Sequence, residues 1–254
     1  MRSLFHSSVP PAAPPVEAVA APFPKIAGAE IAADFLGKRV AGDLYDSLRV
    51  SPERILFGLL DVAGRREANR DIIAAAQQTF RNFGTELFSR PDINESEAMT
   101  ELSLRINRVL IEASHGVHSC PAFIGCYHER FGTLCYANAG HTPGLLRDGS
   151  GIAALGSTGL PLGLFSHAPA DAPTIGMEKG AALLLVSRGV IECENHKKDC
   201  TEEFGLERVK QVFRSAPGSG AEAVCAFVLS SVAKFEGKSH SHDDRTALAL
   251  LRTA

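Results

Sequence analysis

Asp43, Asp61 and Asp243 each stand where a strand-like run begins or ends. Carboxylates converging from separate strand ends are how proteins hold hard, oxygen-seeking cations such as Mg²⁺ or Mn²⁺. Their contexts are Gly42-Asp43-Leu44-Tyr45-Asp46, Asp61-Val62-Ala63-Gly64 and Asp243-Asp244-Arg245-Thr246. A fourth such point, Val186-Ser187-Arg188-Gly189-Val190, carries an arginine instead. A guanidinium in that ring opposes the cation that the acids would hold.

Each acid has more than one reading. Asp61 follows the apolar run Ile55-Leu56-Phe57-Gly58-Leu59-Leu60 and precedes a loop with a glycine. Its carboxylate then projects beside exposed backbone carbonyls, which suits a cation ligand, although a turn-forming aspartate explains the same residue. Asp43 and Asp46 are three apart, so a period of two puts them on opposite faces. The missing side chain of Gly42 permits a close approach and favours Asp43 as the acid that points with Asp61. The adjacent Asp243 and Asp244 fit either a bound cation or full solvation. With His240 and His242 nearby, Asp243 also permits a zinc-like reading, but three ligands in one loop without a fourth make a weak zinc site.

The elements that must position these residues follow from hydrophobic periodicity. Lys38 to Val50 and Arg54 to Val62 read as strands joined by a turn at Ser51-Pro52-Glu53. Glu67 to Phe88 has helical spacing at Ile72, Ile73, Ala76, Phe80, Phe83 and Leu87, and a second helix runs to about Ala113. Strands are expected at Pro121 to His128, Thr133 to Ala137, His141 to Arg147, Gly151 to Leu155 and Ala181 to Ser187. Helices are expected at Phe204 to Phe213 and Ala221 to Phe235, then a last strand from Arg245 to Leu251. The pattern is α+β, and two sheets packed face to face with helices outside bury every run.

Bulk properties narrow the class. At 254 residues the chain can bury a large core, and a net charge of −3 argues against a general nucleic-acid binder. No apolar run reaches the length of a membrane span, so no membrane insertion is expected. The six cysteines include no C-x-x-C pair, which suggests reduced thiols and a cytoplasmic location. Residues 1–24 are rich in Pro and Ala and read as a disordered leader ahead of one domain, 25–254. No G-x-S-x-G elbow, Walker motif or dinucleotide glycine pattern is present.

Taken in order, several segments resemble the metal-dependent (PPM, type 2C) protein Ser/Thr phosphatases, in their bacterial SpoIIE-like, sigma-regulating branch. They are Ala29-Glu30-Ile31-Ala32-Ala33, Ala41-Gly42-Asp43-Leu44-Tyr45-Asp46, Asp61-Val62-Ala63-Gly64 and Tyr136-Ala137-Asn138-Ala139-Gly140-His141-Thr142-Pro143. Gly159-Leu160-Pro161-Leu162-Gly163, Glu203-Phe204-Gly205-Leu206-Glu207-Arg208 and Asp243-Asp244-Arg245-Thr246 complete the set. The resemblance implies a four-layer αββα sandwich of two antiparallel sheets with helices on both sides. It also implies one or two Mn²⁺ or Mg²⁺ ions at one end. Asp61 would bridge the ions with help from the Val62 carbonyl, Asp43 would act through bound water, and Asp243 would bind one ion with Asp244 close by. A water activated by the cations would attack a phosphoserine or phosphothreonine in line. The implied partner is a phosphorylated anti-sigma-factor antagonist.

Two departures mark this chain. Ser187-Arg188-Gly189 stands where the family has Thr/Ser-Asp-Gly, whose Asp binds the second metal, and Ala63-Gly64-Arg65-Arg66-Glu67 replaces a Ser-Gly-Lys-Gly-His loop. Three readings of Arg188 follow. The enzyme works with the remaining acids and a weakened second site. Or it is a pseudophosphatase in which Arg188 grips a phosphorylated partner without turnover. Or Arg188 points away and Glu192 or Glu194 takes its place.

Overall fold

Two five-stranded antiparallel sheets form the centre of the domain in a computed structural model that describes residues 22–36, 40–116, 118–167, 169–197, 200–237 and 243–254. Strands come first, at Ala29–Leu36 (β1), Asp43–Ser51 (β2) and Arg54–Asp61 (β3). The helices Arg70–Phe88 (α1) and Glu95–Ala113 (α2) follow. A meander of Ala122–His128 (β4), Thr133–Ala139 (β5), Gly144–Asp148 (β6) and Gly151–Leu155 (β7) leads to Thr174–Gly176 (β8) and Ala182–Val186 (β9). The single-turn helix Arg188–Ile191 (α3) and the hairpin Glu194–Lys197 (β10) with Cys200–Glu203 (β11) come next. Helices Gly205–Ser215 (α4) and Ala221–Glu236 (α5) precede the strand Arg245–Arg252 (β12).

The strand orders are β1-β12-β9-β6-β7 and β2-β3-β4-β5-β8. All eight residues of β3 are buried, because both of its faces are covered. Leu56 and Leu60 pack with Phe80 and Met99 of α1 and α2, whereas Phe57 and Leu59 meet Leu183, Leu185, Leu248 and Leu250 of the other sheet. A third apolar layer joins that sheet to α4 and α5 through Val209, Phe213, Val224 and Val228. The layers are therefore αββα, as the sequence predicts. Each large aliphatic side chain so buried contributes roughly 1.5–3 kcal/mol.

Local signals set the element ends. The two-residue turn Pro52-Glu53 closes the β2–β3 hairpin. Asn94 caps α2 by accepting from the Ser96 and Glu97 amides.

Several predicted ends shift, each for a local reason. The strand was expected from Lys38, which lies with Arg39 outside the described residues; β2 starts at Asp43, because the amides of Val40 and Ala41 donate to the Asp244 carboxylate rather than to a ladder. The helix expected from Glu67 starts at Arg70, since the Asn69 side chain donates to the Ala63 carbonyl and ties the preceding loop into a turn. The strand expected from His141 starts at Gly144, because the His141 amide donates to the Asn138 side chain. Strands β1, β8, β10 and β11 and helix α3 were not anticipated as elements. Cys120, Cys126, Cys135, Cys193 and Cys225 are buried free thiols. Most of the predicted leader, residues 1–21, lies outside the described residues, as do His240 and His242.

Candidate metal centre

The hairpin register places Asp43 directly opposite Asp61 at one end of the second sheet. In the first sheet β12 runs antiparallel to β9 with Ala247 opposite Val186, which brings Asp243 and Arg188 to the same end. The two sheets are joined there by hydrogen bonds. The Thr246 hydroxyl donates to the Asp43 carboxylate at 2.5 Å, and the Asp43 amide donates to Asp244 at 3.2 Å. All four predicted points therefore meet in space.

Two glycines let the loops approach this closely. A Cβ on Gly42 would lie 1.7 Å from the Val62 carbonyl oxygen, and one on Gly189 would lie 2.2 Å from the Asp244 carbonyl oxygen. Neither position accepts a side chain without moving the backbone that carries an acid. The Val62 carbonyl thus packs against Gly42.

The electrostatics are those of crowded, partly buried acids. Burial pushes the Asp43 carboxyl up to about 8, against the Thr246 hydrogen bond that favours its charge, and the neighbouring Asp61 pushes the same way as burial. Burial likewise raises Asp61 to about 6, while the Arg188 guanidinium pulls it down and Asp243, Asp244 and Glu192 push it up. Carboxylates held above their ordinary range chiefly by burial, and in part by one another, make a place where positive charge is favoured.

Arg188 supplies that charge. Its guanidinium lies 3.7 Å from Asp61, 3.8 Å from Asp243 and 3.8 Å from Glu192, with the side chain about half exposed. It reaches over the acids, which is not the orientation that the third reading of this residue expects. Glu192 lines the cleft, while Glu194 starts β10 and is exposed.

The remaining acids have other work. Both oxygens of Asp244 accept backbone amides: Val40 at 2.7 Å and Ala41 at 2.9 Å on one, Asp43 on the other. Asp244 thereby clamps the entry of β2. Asp46 faces away, as its spacing predicts, and holds α1 through Arg81 at 2.5 and 2.8 Å and Gln77 at 3.0 Å. In the Asn138-Ala139-Gly140-His141-Thr142 segment, the Thr142 hydroxyl donates to the Val186 carbonyl and so fixes the strand end just before Arg188. His141 is buried, which lowers its imidazole to about 4.

A cleft of about 400 Å³ opens over the site, lined by Val40, Ala41, Gly64, Arg65, Arg188, Gly189, Glu192 and Asp243. The donor set suits a hard cation in kind, being carboxylates near the Val62 backbone carbonyl. It is not preassembled: among the described residues no three acid, His or Cys side chains are grouped to hold an ion, and Arg188 bridges the acids instead. Thr246, whose hydroxyl holds Asp43, and Ser187, whose hydroxyl donates to the Asp244 carbonyl, were missed as site residues. Their hydroxyls in Ser-Arg-Gly and Asp-Asp-Arg-Thr were the available signal.

Comparison with known proteins fits this geometry. Residues 51–253 match the family described as Stage II sporulation protein E (SpoIIE), and the chain belongs to that family of PP2C-type, metal-dependent phosphatase domains. It is 26% identical over 219 residues to phosphoserine phosphatase RsbU of Bacillus subtilis (strain 168), covering 85% of this chain and 60% of that one. It is 26% identical over 157 residues to phosphoserine phosphatase RsbP of the same organism, covering 60% of this chain and 37% of that one. The chain therefore spans less than two thirds of either relative. Among solved structures, the SiaA-PP2C domain of Pseudomonas aeruginosa shares the fold at a TM-score of 0.73 and 16% identity, over 87% of this chain and 85% of that one.

Proposed function

We propose that residues 25–254 form a phosphoprotein phosphatase domain that hydrolyses phosphoserine or phosphothreonine on a regulatory partner of the anti-sigma-factor antagonist kind. The observation that carries this reading is the convergence of Asp43, Asp61 and Asp243 beneath one cleft, supported by two relatives named as phosphoserine phosphatases. Asp61 and Asp243 would hold one Mn²⁺ or Mg²⁺ ion with the Val62 carbonyl nearby, and a second ion would bind weakly for want of an acid at position 188. A bound ion supplies an activated water and neutralises the charge that develops on phosphorus. The chain's own residues do the rest. The Thr246 hydroxyl orients the Asp43 carboxyl, which would take up a proton once ionised, and Asp244 fixes the strand entry that carries it. Asp244 serves the site as that clamp.

One observation favours a second reading, a binding module without turnover: Arg188 lies where its charge replaces an ion between Asp61 and Asp243. Calorimetric titration with Mn²⁺ and release of phosphate from a phosphoserine peptide separate the two. Mn²⁺ uptake with turnover supports the enzyme. Phosphopeptide binding without Mn²⁺ uptake or phosphate release sinks it. No helix among the described residues is long and apolar enough to cross a membrane, and we place the domain in the cytoplasm.

A further inference from the structure

Two arginines line the cleft, and neither guanidinium makes a hydrogen bond among the described residues. Arg65 is exposed in the loop after Asp61, and its guanidinium has no partner among the described residues. Arg188 contacts its three carboxylates at 3.7–3.8 Å, too long for hydrogen bonds, so its N–H donors remain available to a closer acceptor. The other walls are the small or apolar Val40, Ala41, Gly64 and Gly189, with Glu192 and Asp243 at the acidic side.

A planar guanidinium presents paired donors that match two oxygens of a tetrahedral oxyanion. A cleft of about 400 Å³ holds such a group together with the residue that bears it. We infer that Arg65 and Arg188 together receive the non-bridging oxygens of a phosphoryl group, with Arg65 as a specificity residue contributed by the Gly64-Arg65-Arg66 loop. The inference rests on the phosphatase reading for the source of that group, a phosphorylated serine or threonine. The two arginines differ in role. Arg188 is shared between the acids and the phosphate, while Arg65 serves the phosphate alone.

That division is testable with O-phospho-L-serine as the probe, titrated by calorimetry into the full chain with and without Mn²⁺. Arg65→Ala is expected to weaken phosphoserine binding roughly tenfold to a hundredfold, the loss of charge-assisted hydrogen bonds. Its Mn²⁺ affinity and thermal midpoint should not move. Arg65→Lys, which keeps the charge but loses the fork, should recover part of the binding. Arg188→Ala should weaken phosphoserine binding and tighten Mn²⁺. Unchanged phosphoserine affinity in Arg65→Ala overturns the inference, as does wild-type protein that binds no phosphoserine in either condition. Binding that depends on Arg65, with no phosphate released from a phosphoserine peptide in Mn²⁺, leaves the inference standing and removes the phosphatase reading instead.

Discussion

Removing the Arg188 guanidinium should convert a self-neutralised acid cluster into a better cation site. A divalent ion between Asp61 and Asp243 would lie about 4 Å from that guanidinium, given contacts of 3.7 and 3.8 Å to the same carboxylates. The repulsion is about 8 kcal/mol at an effective dielectric of 20 and about 2 kcal/mol in water-like surroundings. Arg188 is about half exposed on a long stem that can swing outward, so the lower figure applies. Arg188→Ala should therefore tighten Mn²⁺ binding roughly tenfold to thirtyfold, and Arg188→Asp by more, since it adds a ligand. The metal-free protein should respond in the opposite sense. Without the guanidinium, Asp61, Asp243 and Glu192 face one another, costing up to about 1 kcal/mol and lowering the thermal midpoint by about 2–4 °C. Added Mn²⁺ should restore it. Isothermal titration with Mn²⁺ and calorimetric melting with and without the ion measure both arms. If neither variant binds Mn²⁺ more tightly than wild type, Arg188 does not compete for the site and the electrostatic account is wrong.

Asp243 and Asp244, adjacent and alike in sequence, should fail differently. Asp243→Asn should lose most Mn²⁺ binding with little change in melting, since its amide oxygen can still accept the Asp244 amide. Asp244→Asn turns a donor toward the backbone amides that the carboxylate accepts, and should cost about 1–3 kcal/mol in urea unfolding. Loss of Mn²⁺ binding in Asp244→Asn with unchanged stability would show it to be a ligand. Buried His141 sets a pH dependence. Its folded pKa, about 4, lies below the unfolded 6.5, so the unfolded chain takes up a proton first as pH falls. Stability from this group is intact above pH 6.5 and declines by about 3 kcal/mol as pH falls toward 4. Asp43 and Asp61, with raised folded values, tilt the profile the other way. The difference between wild type and His141→Leu in urea unfolding isolates the imidazole, and parallel profiles refute its neutral burial.

The layers were legible because their signals are local and strong. The apolar run from Ile55 to Leu60 announces a strand buried on both faces, and the helical spacing from Ile72 to Leu87 announces α1. The convergence of Asp43, Asp61 and Asp243 was also legible, since each sits at a strand end and strand ends are where side chains meet across sheets. The job of Asp244 was not. Nothing in a pair of neighbouring aspartates says which one turns back onto the amides of Val40 and Ala41, because those amides are some 200 residues away in the chain. The direction of Arg188 was undecided for the same reason: it depends on carboxylates delivered by three other segments. Strand β1 was missed as an element because Ala-Glu-Ile-Ala-Ala-Asp-Phe-Leu lacks clean alternation, and its place is fixed by pairing with β12.

That pairing has a consequence for how the protein comes into being. Strand β12 lies between β1 and β9, and it brings with it Thr246, whose bond to Asp43 spans 203 residues. A nascent chain still short of β12 has every helix of the domain and most of its strands, yet its first sheet is split and Asp43 lacks its hydroxyl partner. The sheet and the cleft are thus closed by the same strand, and removing β12 should cost both the pairing of β1 and the hydroxyl that holds Asp43.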